Sequence, residues 1–274
     1  MSEEKILHQD PKAIAKYIIS KTPIGLLDES LKNLKILLNE EILNSPEVIQ
    51  ELKKYKESHL IPISVPNVKS KVLISPYNQD SDEFYYDQIQ NIRFKLNQNC
   101  NPENIEEYTL NTEMFRKVSR RMEEYIKKYY NKNAIHYNVY HNDFMNKINI
   151  LISGKLIDLK NSWNGEWIGI WELDIGTKKM YGEILINTMY YEEGNIQFHF
   201  KKNYETDNKG NDESSMAGQL LEFIEKNEND VQNTIEKMNE NLSEEYVKPL
   251  RKKVSLIEKD MNWSVEQVQF KLSC

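Results

Sequence analysis

Hydrophobic positions recur at helical spacing from the start of the chain to about residue 58. Ile14, Ile18 and Ile19 follow Pro11, a residue suited to a first helical turn. In 27–39, Leu27, Leu31, Leu34 and Leu38 share one face, with Asp28 or Ser30 close enough to cap it. A third segment opens with Ser45, Pro46 and Glu47, which supply an N-cap, a first-turn proline and a first-turn acid. Three short amphipathic helices with brief links predict a small bundle.

From residue 59 the period shifts toward two. HLIPISV, KVLISPY and QNIRFKLN mix β-branched and aromatic residues between turn formers, as strands do. Residues 104–130 return to a helical period, with Met114, Val118, Met122, Tyr125 and Tyr129 on one face, and the helix itself is placed at 111–131. The most regular part follows: NAIHYNVYH, KINILISGKLIDL, EWIGIWELDI, KMYGEILINTMYY and NIQFHFKKNY. The breaks HNDF, NSWNG, GTK and EEGN carry turn chemistry, and short breaks make neighbours antiparallel. After a polar link, Met216, Leu220, Ile224, Val231, Ile235, Met238 and Leu242 form one stripe on a long helix suited to lying across a sheet.

The expected class is therefore α+β. It divides into an N-terminal helical stalk over 1–58, a small strand and loop region over 59–110 and a helix over 111–131. An antiparallel meander over 132–205, a long helix over 212–242 and a basic amphipathic C-terminal helix over 243–274 complete it. An open sheet edge is costly to leave unpaired, so an obligate dimer is expected.

Composition adds limits. At 274 residues with 39% apolar content the chain can bury a core, although a lean one. A net charge of −7 argues against general affinity for nucleic acid or anionic membranes. Two cysteines, Cys100 and Cys274, give no disulfide framework and fit a reducing compartment. No apolar run is long enough to span a bilayer and the start of the chain is polar, so a soluble, cytoplasmic protein is expected.

Trp163, Trp167 and Trp171 raise a choice between a sugar platform, a partner-binding patch and packing. Asn164-Gly165 reads as a hairpin turn, and spacings of four put the three indoles on one face of a sheet. A helix is available to cover that face, which favours packing.

Catalytic patterns are missing. His8, His59, His136, His141 and His199 lie in no metal-ligating spacing, and neither cysteine has an activating context. There is no glycine-rich phosphate loop and no nucleophile elbow, and Glu192-Glu193 reads as a charged turn. The chain is expected to be a binding protein, with no catalytic residue, cofactor or metal.

One stretch departs from the acidic background. Residues 248–259 carry Lys248, Arg251, Lys252, Lys253 and Lys259 against Glu258. Beyond them Val254, Ile257, Met261, Val265, Val268 and Leu272 fall within about 80° on a helical wheel. Leu256, Trp263 and Phe270 form a second stripe nearly opposite. A surface helix needs one apolar stripe, so two suggest one face on the protein body and one on a partner, with lysines at the rim. A solvated basic helix end is the plainer alternative.

These residues also resemble a known family. NSWNGEWIGIWEL, then MYYEEGNIQF, then LRKKVSLIEKDMNW is similar to the alpha subunit of F-actin-capping protein. KYIISKTPIGLLDESLKNLKILLN and KVLISPYNQDSDEFYYDQIQNIRFKLN match that family in the same order. The resemblance implies a helical stalk, a meander that joins its partner's sheet, a long helix across it and a C-terminal "tentacle" that binds actin. It implies a dimer, with a capping protein beta subunit or a second copy, that caps the filament barbed end and blocks subunit addition and loss. A dimerisation or regulatory scaffold with weak actin binding is the alternative. Phosphoinositides and regulatory proteins are implied as further partners. On this likeness Lys248 and Lys252 match basic actin-contacting positions, Arg251, Lys253 and Lys259 stand beside them, and Trp263 matches the tentacle tryptophan, with Leu256 and Phe270 on its stripe. Glu258 departs from a basic position of the pattern, and the tail reaches Cys274, a few residues earlier than usual.

Overall fold

The computed structural model describes residues 10–241 apart from 98–99, 111, 131–134, 143–145, 159, 161–162 and 191–195. The chain divides into two compact units, Met1–Ile224 and Glu225–Cys274.

The first unit begins with helices α1 (Pro11–Lys21), α2 (Leu27–Leu37), a single turn α3 (Glu40–Leu43) and α4 (Pro46–Ser58). Asp10 caps α1 by accepting from the Lys12 backbone N–H, and prolines open both α1 and α4. Ala15, Ile19, Leu27, Leu34, Val48 and Tyr55 form their common core, and the Tyr55 hydroxyl donates to the Thr22 carbonyl at 2.9 Å. The turn α3 was not separable in the sequence, where its apolar residues merge with those of the preceding leucine helix.

Next come β1 (Pro62–Ile63) paired with β2 (Val72–Leu73), and a small sheet of β3 (Tyr85–Asp87), β4 (Ile92–Leu96) and β5 (Pro102–Glu107). The sequence placed helical period from residue 104, and the structure corrects this. Residues 104–107 are strand, paired with β4 around a bulge, and Asn104 takes a left-handed φ of 51° that no helix continues through. Arg93 reaches across to Glu106 at 2.7 Å, so the glutamates that suggested a helix serve a cross-strand ion pair. Helix α5 (Glu113–Tyr129) starts only after Thr112, whose hydroxyl accepts from the Phe115 N–H.

The main sheet is antiparallel, with strands β6 (Ile135–Asn142), β7 (Lys147–Asp158), β8 (Trp163–Asp174), β9 (Lys179–Tyr190) and β10 (Ile196–Asp207) in order of sequence across it. Asn164-Gly165 is not the expected turn. Both residues lie inside β8, paired to β7 and β9, and neither has the positive φ that such a turn requires. The connection falls earlier, between Asp158 and Trp163.

Both faces of β7 are covered. Ile148 through Ser153 are all buried, as a near-continuous apolar run implies. One face carries Val139, Ile150, Trp171 and Gly182, and meets the first turns of α6 (Glu213–Asn241), where Phe223 packs edge-on against Trp171 at 5.6 Å. Helix α5 lies beside it, with Lys117 reaching Glu213 at 3.4 Å. The opposite face carries Tyr140, Leu151 and Ile168, which bury against Leu60 and Leu73 from the first half of the chain. The cover reaches Leu185 of β9, which packs partly buried against this cluster, whereas His199, Lys201, Asn203 and Glu205 of β10 are exposed. The second unit holds the rest of α6 as its described part.

Candidate functional site

The two edges of the main sheet differ in how they end. At β6, Gln88 acts as a short substitute strand: its amide donates to the His141 carbonyl at 2.8 Å, and its oxygen accepts from the His141 N–H at 2.7 Å. The Thr112 hydroxyl bonds the His141 ring at 2.6 Å, so a buried side chain and a helix start close this edge.

At β10 no strand lies on the outer side among the described residues. Alternation is strict along it. Phe198, Phe200, Lys202 and Tyr204 are half-buried on the helix-bearing face, whereas Gln197, His199, Lys201, Asn203 and Glu205 are exposed on the other. Phe198 and Phe200 stack at 6.5 Å, and Tyr204 stacks on Trp171 at 6.1 Å, so the edge strand is held firmly from its own side. A twelve-residue edge with unmatched backbone groups is a ready template for another strand.

A shallow pocket of about 530 Å³ opens at the foot of this edge, lined by Tyr77, Glu172, Tyr181, Glu183, Asn203 and Glu205 among others. Its three carboxylates already have cations. Glu172 pairs with Lys147 at 2.7 Å, Glu183 with Lys201 at 2.8 Å and Glu205 with Lys179 at 3.1 Å. The pocket therefore presents paired charges and three tyrosines, Tyr77, Tyr181 and Tyr204.

The edge is tied to the helical N-terminal half by a buried ionic cluster. Glu166 on β8 accepts from His59, just past α4, at 2.8 Å and from the Asn187 amide at 2.7 Å. Lys155 on β7 lies 3.7 Å from the same carboxylate and donates to Ser153 at 2.8 Å and to the His59 carbonyl. Burial pushes the Glu166 carboxyl up, but His59, Lys155 and Asn187 outweigh it and hold it below its ordinary range. Burial pushes Lys155 down to about 8 despite the attraction of Glu166. Asn187 also bonds His199 on β10, so the cluster runs from the end of α4 to the open edge.

The residues singled out in the sequence for partner binding, Lys248, Arg251, Lys252, Lys253, Leu256, Lys259, Trp263 and Phe270, lie outside the described residues. Of the tryptophans, Trp171 is fully buried and Trp167 half-buried, which removes Trp171 from any exposed sugar platform. Sequence reading did not single out Gln88, Glu166 or Lys155. Glu166 and Lys155 stand on alternating strands among ordinary charged residues, and only three-dimensional pairing reveals them.

Comparison with known proteins follows the same architecture. A family model described as F-actin capping protein alpha subunit matches residues 15–273. The F-actin-capping protein subunit alpha of Caenorhabditis elegans is 25% identical over 267 residues, covering 93% of each chain. That of Candida glabrata is 28% identical over 260 residues, covering 94% of each, and that of Arabidopsis thaliana 23% identical over 292 residues, covering 99% of this chain and 94% of the relative. Among solved structures, the homodimeric actin capping protein alpha subunit of Plasmodium berghei superposes with a TM-score of 0.72 at 21% identity, over 90% of this chain and 98% of that one. The chain with the closed β6 edge and the open β10 edge belongs to the F-actin capping protein alpha subunit family.

Proposed function

We propose that this chain caps the barbed end of actin filaments as one protomer of a dimer whose two sheets join through β10. Membership in the capping family supports the activity, and the open β10 edge, set against the closed β6 edge, is the observation that carries the mode of assembly. The protein acts by binding and is not an enzyme. Among the described residues no helix is long and apolar enough to cross a membrane, and we assign the protein to the cytoplasmic actin cytoskeleton.

The physical mechanism has two stages. Actin is acidic, so Lys248, Arg251, Lys252, Lys253 and Lys259 steer the encounter and make it salt-dependent. Leu256, Trp263 and Phe270 then enter a hydrophobic groove on actin in the helix-in-groove mode and slow dissociation. Joining two sheets places two such tails on one rigid body, which raises the effective concentration of the second tail once the first is bound. The same basic segment is the place where phosphoinositides or regulatory proteins would compete with actin.

Elongation of actin from seeds with free barbed ends tests the proposal. Substoichiometric protein, alone or with a capping protein beta chain, is expected to stop growth at that end. Growth that continues in both cases refutes capping and leaves a scaffold role.

A further inference from the structure

We propose that the pocket beside β10 binds a linear polyamine, a flexible chain of methylene groups carrying two or more ammonium centres. The inference goes beyond the capping reading and does not rest on it, because side chains of one protomer build the site.

Strand register lays out the floor. Asn149 on β7, Glu172 on β8, Tyr181 on β9 and Glu205 on β10 oppose one another in turn, so they form one row on a single face. Neighbouring strands lie about 4.7–4.9 Å apart, which sets the stems of Glu172 and Glu205 roughly 10 Å apart with Tyr181 between them. Glu183 stands on the same face, two residues along β9 from Tyr181. A single turn at Pro76–Asn78 adds Tyr77 to the wall. Ser75 accepts from the Tyr77 N–H at 3.2 Å, and the buried Asn78 amide donates to the Leu73 and Tyr86 carbonyls at 3.0 Å, so this turn is fixed. Tyr77 and Tyr181 remain 42% and 37% exposed, open to a guest.

The site is rich in acceptors. Glu172, Glu183 and Glu205 line it, whereas no lysine or arginine does. Their partners Lys147, Lys201 and Lys179 stand outside the lining, and each pair engages one carboxylate oxygen: Glu172 Oε1, Glu183 Oε2 and Glu205 Oε1. A carboxylate offers about four lone-pair sites on its two oxygens, so each keeps capacity for a further donor. The negative field reaches the wall. Burial, and then the charges of Glu183 and Glu172, push the Tyr77 hydroxyl up, with Lys201 opposing them.

A separate feature marks the inner end of the row. Asn149 is 5% exposed, stands directly beside Glu172, and its side-chain oxygen is buried with no donor. An acceptor buried in this way is costly to leave unpaired. What the row lacks is positive charge with several N–H donors, which an ammonium group supplies.

Spacing selects the class of cation. Carboxylates on stems this far apart do not converge on one metal ion, and among the described residues no group of side chains is placed to hold one. The order along the row is carboxylate, aromatic ring, carboxylate. A polyamine repeats it as ammonium, methylene chain, ammonium, with its methylenes along the Tyr181 ring and its charges at Glu172 and Glu205. The volume of about 530 Å³ falls in the usual range for small-molecule sites, ~300–1,000 Å³.

The test is isothermal titration calorimetry of the full chain with spermidine at physiological ionic strength, with circular dichroism as the folding control. Saturable binding of one spermidine per chain is expected, at least tenfold tighter than butylamine or magnesium. Glu172→Gln is expected to weaken it at least tenfold. Glu205→Gln, on an exposed strand, covers the case in which the first variant impairs folding, and it should weaken binding comparably. Glu124→Gln, on the exposed side of α5, makes the same change in net charge away from the pocket and should leave affinity unaltered. Absence of binding, binding that both pocket variants retain, or an equal loss in Glu124→Gln overturns the site. Butylamine or magnesium bound as tightly as spermidine overturns the ligand class. Tetralysine that displaces spermidine and binds more tightly would give the pocket to a basic protein segment and overturn the polyamine assignment.

Discussion

Gly182 stands directly opposite Trp171 in the β8–β9 pair, and the indole occupies the space a side chain at 182 would need. A β-carbon built on Gly182 would lie 2.3 Å from a ring carbon of Trp171. The ring cannot retreat, because Phe223 closes it edge-on at 5.6 Å and Tyr204 stacks on it at 6.1 Å. Burying an indole removes roughly 200 Å² from water, worth about 5 kcal/mol at ~25 cal/mol per Å². Gly182→Ala is therefore expected to cost about 3 kcal/mol, the upper part of the overpacking range, measured as a shift in the urea midpoint. A change below about 1 kcal/mol would mean that the ring has somewhere else to go.

Removing the charge of Glu166 leaves Lys155 buried without its anion. The side chains are 1% and 13% exposed, so solvent cannot replace the partner. Glu166→Gln keeps the volume and one acceptor, and its expected cost is about 3 kcal/mol, as for breaking a buried pair from one side. Adding Lys155→Met should recover part of that loss, since the stranded cation is then gone. Thermal unfolding of the single and double variants measures the coupling. A double variant no better than Glu166→Gln would show that Lys155 gains little from the carboxylate.

The same lysine sets an alkaline signature. Its folded pKa, about 8, lies below the ordinary lysine value of ~10.4 in the unfolded chain. Between these values the unfolded state binds more protons, so stability rises with pH across this window, by up to about 3 kcal/mol from this group. Above pH ~10 the buried tyrosines reverse the trend. Burial pushes the Tyr55, Tyr85 and Tyr140 hydroxyls up, so the unfolded chain ionises first. Relative to Lys155→Met, wild-type stability should therefore climb from pH 8 to 10, as read by denaturant titration at each pH. Parallel profiles for the two proteins would contradict the buried, neutralisable lysine.

Much of the fold was legible because its signals are local. The near-continuous apolar run at 148–152, the period of two along 179–190 and 196–207, the proline openings at Pro11 and Pro46, and the stripe from Met216 to Ile224 each depend on near neighbours in sequence. The misread segments are those where distant partners decide. Asn164-Gly165 has strong turn chemistry but is flanked by two strands that hold it extended, and residues 104–107 have helix-forming glutamates that Arg93 recruits into a sheet. The site divides in the same way. A dimer was expected from the cost of an open sheet edge, although which edge it was could not be read, whereas the Glu166 cluster joins residues 107 positions apart in the chain. No local pattern encodes such a meeting.

Closure of the β6 edge by Gln88 rests on two hydrogen bonds in a buried site, so Gln88→Ala should cost about 2 kcal/mol through the His141 groups left without partners. It should also give β6 an open edge. Light scattering during slow heating is expected to show earlier association in this variant than in wild type. An unchanged midpoint and scattering onset would assign the protection of this edge to Thr112 and α5 instead.

The basic segment gives the most direct test of the capping mechanism. Lys248, Arg251 and Lys252 precede the double-striped tail, where they can draw the protein toward an acidic surface before the apolar contacts form. Charge reversal at all three changes the local balance by six units, since each residue goes from +1 to −1. The association rate with barbed ends should fall roughly tenfold or more at low salt, and the difference should narrow as ionic strength shortens the screening length. Dissociation, which the proposed mechanism assigns to Leu256, Trp263 and Phe270, should change much less. Seeded elongation at two salt concentrations yields both rates. A variant with unaltered association at low salt would remove these three residues from the encounter, and one that lost only its residence time would move them into the final contact.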